Sequence, residues 1–220
     1  MTTLLILGGT GVVGRQVLAQ ALANPAITHV VAPTRTALAA HPKLDNPLVD
    51  YARLPADAAW WQADAALCTI GTTMKLAGSQ AAFSKVDHDY VLAAATLARA
   101  AGTMAFAYNS SLGAAPDASS FYLRVKATTE HDLAALGFTS LTIVRPSFLY
   151  GGKRADKRPG EAIALVITRL LGALIPKQYR PVSASHVAAA MLQGVISSKP
   201  GVSIIESAQL QSAQPSAMLG

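Results

Sequence analysis

A short apolar strand that runs directly into closely spaced glycines is the feature that most constrains this chain. Thr3 and the four apolar residues from Leu4 to Leu7 have the length of a buried parallel strand. The glycines that follow are Gly8, Gly9, Gly11 and Gly14. Behind them, apolar residues recur at helical spacing from Val13 to Leu22. Strand, glycine turn and helix in this order predict a site for the pyrophosphate of a dinucleotide.

Three of the glycines have distinct predicted roles. Gly8 allows the chain to turn sharply, Gly11 lets the backbone approach the phosphates, and Gly14 lets the helix pack closely against the strand. The unpaired N–H groups and the positive dipole end of the helix would then face the anion. A tight turn without a ligand is the alternative. The position of the motif, between a strand and a helix where such a sheet begins, favours the nucleotide.

Strands and helices are predicted to alternate along the rest of the chain. The predicted strands are Ile27–Ala32, Leu48–Tyr51, Ala65–Thr69, Thr103–Tyr108 and Leu141–Val144. The predicted helices between them are Pro55–Gln62, a helix that a capping box at Ser84 and Asp87 opens and Gly102 ends, and a helix from about Asp117 to Leu136. This alternation predicts an α/β fold, a Rossmann-type doubly wound parallel sheet.

The final third is less regular and predicts a small C-terminal substrate lobe. Helices at Glu161–Leu171 and His186–Val195 and a last strand at Val202–Ile205 are placed over the carboxyl edge of the sheet. We expect one domain over residues 1–208 that includes the lobe, at about 147–185. Residues 209–220 are expected to form a flexible tail.

Composition narrows the class of protein. Over 220 residues, 51% hydrophobic and only 14% charged residues exclude disorder along most of the chain. No stretch approaches the roughly 20 apolar residues that span a bilayer, so no membrane partner is predicted. Cys68 is the only cysteine, which excludes an intrachain disulfide and predicts a cytoplasmic location. Its place in an apolar strand predicts a packing thiol rather than a nucleophile.

The net charge of +6 suits an anionic ligand such as a phosphorylated cofactor. The densest basic stretch, Lys153–Arg158, contains no aromatic residue, which favours a solvated loop over a nucleic-acid surface. The five histidines have no ligand spacing, so no metal site is predicted.

The end of the second predicted strand bears on the choice of cofactor. NAD-specific proteins of this type place an acidic residue about 20 residues after the glycines, to bind the ribose 2′-hydroxyl. Here Thr34 and Arg35 follow the strand, and no carboxylate occurs before Asp45. A guanidinium can bind a 2′-phosphate, so NADP(H) is favoured over NAD(H), the alternative being that Arg35 is only a surface residue. Asp50 is expected near the adenine.

Tyr122 and Lys126 lie four residues apart on one predicted helix and therefore share a face. A phenol has an unperturbed pKa near 10, and a neighbouring ammonium lowers it towards the range useful for acid–base catalysis. Ser111 follows the preceding strand and can hydrogen-bond the carbonyl oxygen that the phenol would protonate. The pair also arises by chance, with a half-buried tyrosine and a lysine that extends to solvent.

With these residues in hand, the chain resembles the atypical short-chain dehydrogenase/reductases, and within them the Tat-interacting-protein-like oxidoreductase subgroup. The resemblance runs from Leu4 to about Ser207. It rests on motifs in the family's order: Gly8–Gly14, Leu67–Thr73, Lys85–Val91, Ser110–Gly113, Tyr122–Lys126, Arg145–Pro146 and Arg158–Glu161.

The resemblance implies roles for individual residues. Ser111, Tyr122 and Lys126 would be the catalytic set, with Ser110 a rival for the serine. The residues implied to bind the cofactor are Gly8, Thr10, Gly11, Val12, Val13 and Gly14 at the pyrophosphate, Arg35 at the 2′-phosphate, Ile70, Gly71 and Thr72 at the ribose, and Pro146, Ser147 and Phe148 at the nicotinamide carboxamide.

The expected function is therefore an NADP(H)-dependent oxidoreductase that reduces a small carbonyl compound or oxidises an alcohol. A redox sensor that binds NADP(H) and acts through a protein partner is the alternative. A nucleotide-sugar epimerase or dehydratase is disfavoured because those enzymes need a larger substrate lobe. A homodimer is left open.

Overall fold

A computed structural model describes residues 2–150 and 176–211 of the chain. Its strands are β1 (Thr2–Leu7), β2 (Ile27–Val31), β3 (Leu44–Asp45), β4 (Ala65–Cys68), β5 (Ala105–Asn109), β6 (Ser140–Arg145), β7 (Leu149–Tyr150), β8 (Val182–Ser183) and β9 (Gly201–Glu206). Its helices are α1 (Val12–Ala23), α2 (Met74–Ala77), α3 (Gln80–Ser84), α4 (Tyr90–Ala100), α5 (Phe121–Ala135), α6 (Ala184–Ser197) and α7 (Ser207–Leu210).

The main sheet confirms the predicted Rossmann-type architecture. Seven parallel strands follow the order β3-β2-β1-β4-β5-β6-β9, and β7 pairs with β8 in a separate ribbon. The strand order reverses between β1 and β4, and the crevice at such a switch point is where open α/β sheets bind ligands.

Both faces of the sheet are covered, as a parallel sheet requires. Alternate residues of β1 point to opposite faces, so Leu4 and Ile6 pack in a core with residues of α1 and α6. Leu5 and Leu7 pack in a second core with residues of α4 and with Trp61.

Several predicted elements differ from the structure, beginning with the third strand and the helix predicted after it. The third strand is Leu44–Asp45, and Leu48 makes only an isolated bridge with Thr34. Pro47 has no N–H for a ladder, which separates the bridge from the strand. Pro55–Gln62 contains one 3₁₀ turn instead of a helix, and the buried Trp61 indole donates to the Pro55 carbonyl at 2.7 Å.

The helix predicted from Asp117 begins only at Phe121, because the backbone at Ser120 is extended. The Arg124 side chain donates to the carbonyls of Ala118 and Ser119 in the turn before the helix. The helix and strand assigned to the lobe also belong to the main domain. Helix α6 packs in the same core as α1, and β9 pairs in parallel with β6 as the seventh strand. The predicted helix Glu161–Leu171, the Lys153–Arg158 stretch and most of the predicted tail lie outside the described residues.

Candidate functional site

The glycine turn has the close packing that its sequence predicted. Gly8 has a φ of 86°, and a Cβ there would lie 2.7 Å from the Ile70 nitrogen. A Cβ on Gly14 would lie 2.1 Å from the Gly8 carbonyl oxygen. Neither position has room for a side chain. The two glycines therefore allow β1, the start of α1 and the end of β4 to come into direct contact.

The start of α1 fits an anionic group. Gly11 is the N-cap and offers no side chain to the first N–H groups, and the first turn contains no acidic residue. The Arg15 side chain donates to the Thr10 carbonyl at 2.9 Å, which fixes a guanidinium beside the turn. A helix N-terminus with a neighbouring cation suits a phosphate.

The residues predicted for the adenosine side lie after β2 and β3. Thr34 is buried, donates to the Thr36 carbonyl at 2.7 Å and accepts from Asn46 at 2.8 Å. Arg35 next to it is exposed. The Asp50 carboxylate accepts from the Ala52 N–H at 2.9 Å and pairs with Arg53, so its nearest partners are local.

The predicted lysine is at the centre of a buried polar cluster. Lys126 is only 4% exposed, and its Nζ lies 2.9 Å from Asp87 Oδ1 and 3.0 Å from the Tyr108 hydroxyl, to which it donates. The same Nζ lies 6.0 Å from the centre of the Tyr122 ring. A Cβ on Gly71 would be 3.8 Å from it, so the lysine borders the predicted ribose site.

The charges in this cluster are strongly coupled. Burial disfavours the ammonium of Lys126, but Tyr108, Asp87 and Tyr122 outweigh burial and raise the pKa of Lys126 above its ordinary value. Burial raises the pKa of Tyr108 to about 12, against the opposing effect of Lys126. Tyr108 is therefore a neutral phenol at physiological pH.

Asp87 has a different role from the predicted one. Helix α3 is capped by Ser79, whose side chain accepts from the Ala82 N–H, while Ser84 lies inside the helix. A π-helical segment, Lys85–Asp89, then joins α3 to α4. On this segment the second oxygen of Asp87 accepts from the Thr72 N–H at 2.7 Å. The capping-box prediction is wrong because Ser84 has helical backbone angles and its side chain makes no capping hydrogen bond.

The two candidate serines have different surroundings. Ser110 is buried and donates to Glu130, which Arg145 in turn binds through Nε at 3.0 Å. Ser111 is half-buried, and among the described residues its hydroxyl contacts only the Leu112 carbonyl, at 3.5 Å. The Ser110 hydroxyl thus donates to a buried carboxylate, whereas within the described part of the chain the Ser111 hydroxyl makes only this long contact with its neighbour. Neither Glu130 nor Tyr108 was singled out in the sequence.

The segment after β6 reaches the same edge of the sheet. The Pro146 carbonyl accepts from the Leu112 N–H at 2.9 Å, which ties the segment to the loop behind Ser111. Ser147 donates to the Arg180 carbonyl, and the Phe148 side chain is 78% exposed.

Cys68 is a packing residue, as predicted. Its side chain is fully buried on β4, and burial raises the pKa of the thiol to about 12. Within residues 2–150 and 176–211, no group of three or more His, Cys, Asp or Glu side chains gathers as a metal site would require.

Comparison with known proteins identifies relatives along most of the chain, although no family model matches it. It is 34% identical to the mitochondrial protein fmp52 of Emericella nidulans over 182 residues, which are 78% of this chain and 77% of the relative. It is 35% identical to protein HTATIP2 of Rattus norvegicus over 164 residues, which are 72% of this chain and 67% of that protein. The chain belongs to the HTATIP2/Fmp52 family of atypical short-chain dehydrogenase/reductases. The resemblance inferred from the motifs is confirmed.

Solved structures agree with this family in fold. MoeE5 in complex with UDP-glucose and NAD superposes with a TM-score of 0.70 at 17% identity, covering 92% of this chain and 74% of that one. The enzyme WbmH of Bordetella bronchiseptica in complex with NAD+ superposes with a TM-score of 0.68 at 17% identity, covering 94% of this chain and 76% of WbmH. The reductase domain of PhqB from Penicillium fellutanum superposes with a TM-score of 0.65 at 16% identity, covering 93% of this chain and 66% of that domain. The fold is therefore that of NAD-binding short-chain dehydrogenase/reductases.

The predicted cytoplasmic location is wrong, because the Fmp52 relatives from Emericella nidulans, Aspergillus fumigatus and Candida albicans are named mitochondrial proteins. A single cysteine shows only that no intrachain disulfide forms, which does not distinguish one reducing compartment from another. Among the helices in the described part of the chain, none has the length and apolar character to cross a membrane.

Proposed function

We propose that this protein binds NADP(H) and interconverts a carbonyl compound and an alcohol, with Ser111, Tyr122 and Lys126 as the catalytic residues. One observation carries the proposal. The buried Lys126 ammonium lies between Gly71, at the predicted ribose site, and the Tyr122 ring, 6.0 Å away. A lysine that served only to extend into solvent would not be 4% exposed and held by two polar partners.

The bound nicotinamide would supply or accept the hydride, and the side chains would manage the oxygen and its proton. Tyr122 donates its phenolic proton to the carbonyl oxygen during reduction and takes it back during oxidation. The Lys126 ammonium stabilises the phenolate that results. Ser111 donates a hydrogen bond to the same oxygen, because its hydroxyl is not taken by a buried carboxylate as that of Ser110 is.

The preference for NADP(H) is proposed from Arg35. This guanidinium is exposed after β2, and Arg15 lies beside the glycine turn on the same predicted cofactor path. Arg35→Ala should weaken NADPH binding by about tenfold or more, since a hydrogen bond to a charged group contributes about 1.5–3 kcal/mol. NADH binding should be unchanged. Calorimetric titration with both cofactors checks this, and an equal loss for both would remove the 2′-phosphate role.

The catalytic proposal is tested by NADPH oxidation with a panel of aldehydes, ketones and quinones. Wild type and Tyr122→Phe are compared, with Ser110→Ala and Ser111→Ala beside them. Turnover lost in Tyr122→Phe and lowered at least tenfold in Ser111→Ala, with NADPH binding retained in both, supports the assignment. A larger loss in a folded Ser110→Ala than in Ser111→Ala would transfer the role to Ser110.

The second candidate function is an NADP(H) sensor that acts through a protein partner without turnover. The half-buried Tyr122 packs edge-on against Phe83 with ring centres 5.6 Å apart, an arrangement that a binding-only protein could also use. Tight NADPH binding with no turnover across the panel would favour the sensor.

A further inference from the structure

Asp87 is the residue that most needs an explanation beyond cofactor binding. It is 1% exposed, on the π-helical segment, and both of its oxygens face the site. One oxygen lies 2.9 Å from the Lys126 Nζ, and the other accepts from the Thr72 N–H at 2.7 Å. A carboxylate buried to this degree is costly unless it is paired.

The pair changes what Tyr122 experiences. The ammonium, 6.0 Å from the centre of the Tyr122 ring, attracts the negative charge that develops on the phenol oxygen as its proton leaves. A carboxylate 2.9 Å from that ammonium opposes its field. The phenol therefore faces an ion pair instead of an isolated cation.

The other titratable groups that face the cluster do not alter this balance. Tyr108 on β5 and Cys68 on β4 are both fully buried, with pKa values raised to about 12, so they are neutral at physiological pH. Glu130, one turn after Lys126 on α5, is paired with Arg145 on β6. His88, next to Asp87, is bonded to Asp89 and to Asp132.

We propose that Asp87 is a positioning residue that offsets the charge of Lys126 and so keeps Tyr122 in its phenol form, ready to donate a proton, to higher pH. The proposal rests on the proposed role of Tyr122 as the acid. Through Thr72, the same carboxylate also fixes the loop that borders the ribose site to the lysine. Asp87→Asn keeps the shape and can still accept from the Thr72 N–H, but it removes the charge.

The test reads the Tyr122 phenol directly, by the ultraviolet absorbance of phenolate as a function of pH. Wild type and Asp87→Asn are each titrated with and without Tyr122→Phe, and the difference within each pair isolates Tyr122. In the Asp87→Asn pair the phenolate should form at a pH lower by about one unit, the low end of the effect of a nearby charge. Formation at the same or a higher pH overturns the proposal.

Asp132→Asn is the matched control, because it removes one negative charge from α5 at a side chain that pairs with His88 instead of Lys126. Asp132→Asn should leave the pH of Tyr122 phenolate formation unchanged. A shift equal to that in Asp87→Asn would mean that any lost negative charge has this effect, which would overturn the specific role of Asp87. If Asp87→Asn does not fold, Asp87→Ser gives the same test, and added formate should then return phenolate formation to the wild-type pH. Formate without effect on the folded Asp87→Ser protein would contradict the proposal.

Turnover supplies an independent reading. In Asp87→Asn, the pH above which carbonyl reduction declines should be lower than in wild type, by the same amount as the pH of phenolate formation. If phenolate formation shifts in Asp87→Asn but no turnover depends on Tyr122, the proposed function is rejected and the effect of Asp87 on Tyr122 is retained. If turnover depends on Tyr122 but phenolate formation does not shift, the proposed function is retained and the role of Asp87 is rejected.

Discussion

At the scale of single residues, three glycines of the same turn have different neighbours and therefore different predicted tolerances. A Cβ on Gly14 would lie 2.1 Å from the Gly8 oxygen, which no rotamer relieves. A Cβ on Gly9 would meet Ala32 at 3.8 Å and Ile6 at 3.9 Å, which are ordinary contacts. A Cβ on Gly11 would have its nearest protein contact at 3.4 Å and would point from the N-cap of α1.

Gly14→Ala should therefore destabilise the fold by about 1–3 kcal/mol, the usual cost of overpacking, while Gly9→Ala changes stability by less than about 1 kcal/mol. Denaturant unfolding of the two variants against wild type measures this difference. Equal stability of Gly14→Ala and Gly9→Ala would contradict the close approach of α1 to the turn.

Gly11→Ala should separate binding from folding. We expect an unfolding midpoint near that of Gly9→Ala but an NADPH affinity at least tenfold lower, because the methyl group occupies the space in which the backbone approaches the phosphates. Titration of both variants with NADPH checks it. Undiminished affinity in Gly11→Ala would place the phosphates elsewhere.

The roles of these glycines could be predicted from the sequence because a tight turn between a strand and a helix requires glycines at this spacing. The sequence did not predict the role of Asp87, because Ser84-x-x-Asp87 fits a helix start as well as it fits the interior of a longer helix. Only the pairing with Lys126, distant in sequence, distinguishes the two.

At the scale of elements, His88 connects the π-helical segment to α5. Its Nδ1 and Nε2 each lie 2.8 Å from a carboxylate oxygen, of Asp89 and Asp132 respectively. Burial disfavours the charged ring, but the two carboxylates outweigh burial and raise the pKa of His88. The segment that carries Asp87 is thus joined to α5 by the hydrogen bonds of a side chain whose charge depends on pH.

The sign of the pH dependence follows. A raised pKa in the folded state means that the stabilisation by His88 is complete below its unfolded pKa, near 6.5, and is lost as the pH rises through the folded value. His88→Gln should lower the free energy of unfolding by up to about 1 kcal/mol at pH 5.5, a small effect because the ion pairs are partly exposed and screened. The loss should be smaller at pH 9, where less of the imidazole is charged. His131→Gln, at an exposed position of α5, is the control. Free energies of unfolding measured at both pH values check the prediction, and an equal loss at pH 5.5 and pH 9 would contradict it.

The contact of α6 with the sheet depends on a glycine that the sequence did not single out. A Cβ on Gly194 would lie 2.6–2.9 Å from three side-chain atoms of the buried Thr142 on β6. Gly194→Ala should cost about 1–3 kcal/mol in chemical unfolding. Adding Thr142→Ala, which removes two of those atoms, should restore part of the loss. Simple additivity of the two substitutions would refute the contact.

At the scale of the whole molecule, the alternation of predicted strands and helices along the chain was sufficient to predict the parallel sheet. The strand order, the π-helical segment and the place of β9 as the seventh strand depend on pairings between distant residues, which periodicity does not encode. The error at the third strand has a local cause, since Pro47 interrupts a stretch whose apolar residues still look like a strand.

The architecture also explains why the candidate site is where it is. The turn after β1 and the loop after β4 meet at the switch point of the sheet, and the ends of β5 and β6 continue the same edge towards Ser111 and Pro146. Catalysis at this edge is the central proposal.

That proposal is tested most directly by following the hydride. NADPH deuterated at the transferred position of the nicotinamide is incubated with a carbonyl substrate from the panel, and the product alcohol is analysed by mass spectrometry. We expect deuterium on the carbinol carbon with wild type and none above background with Tyr122→Phe, although both bind NADPH. Unlabelled alcohol from wild type, or equal labelling with Tyr122→Phe, would contradict it.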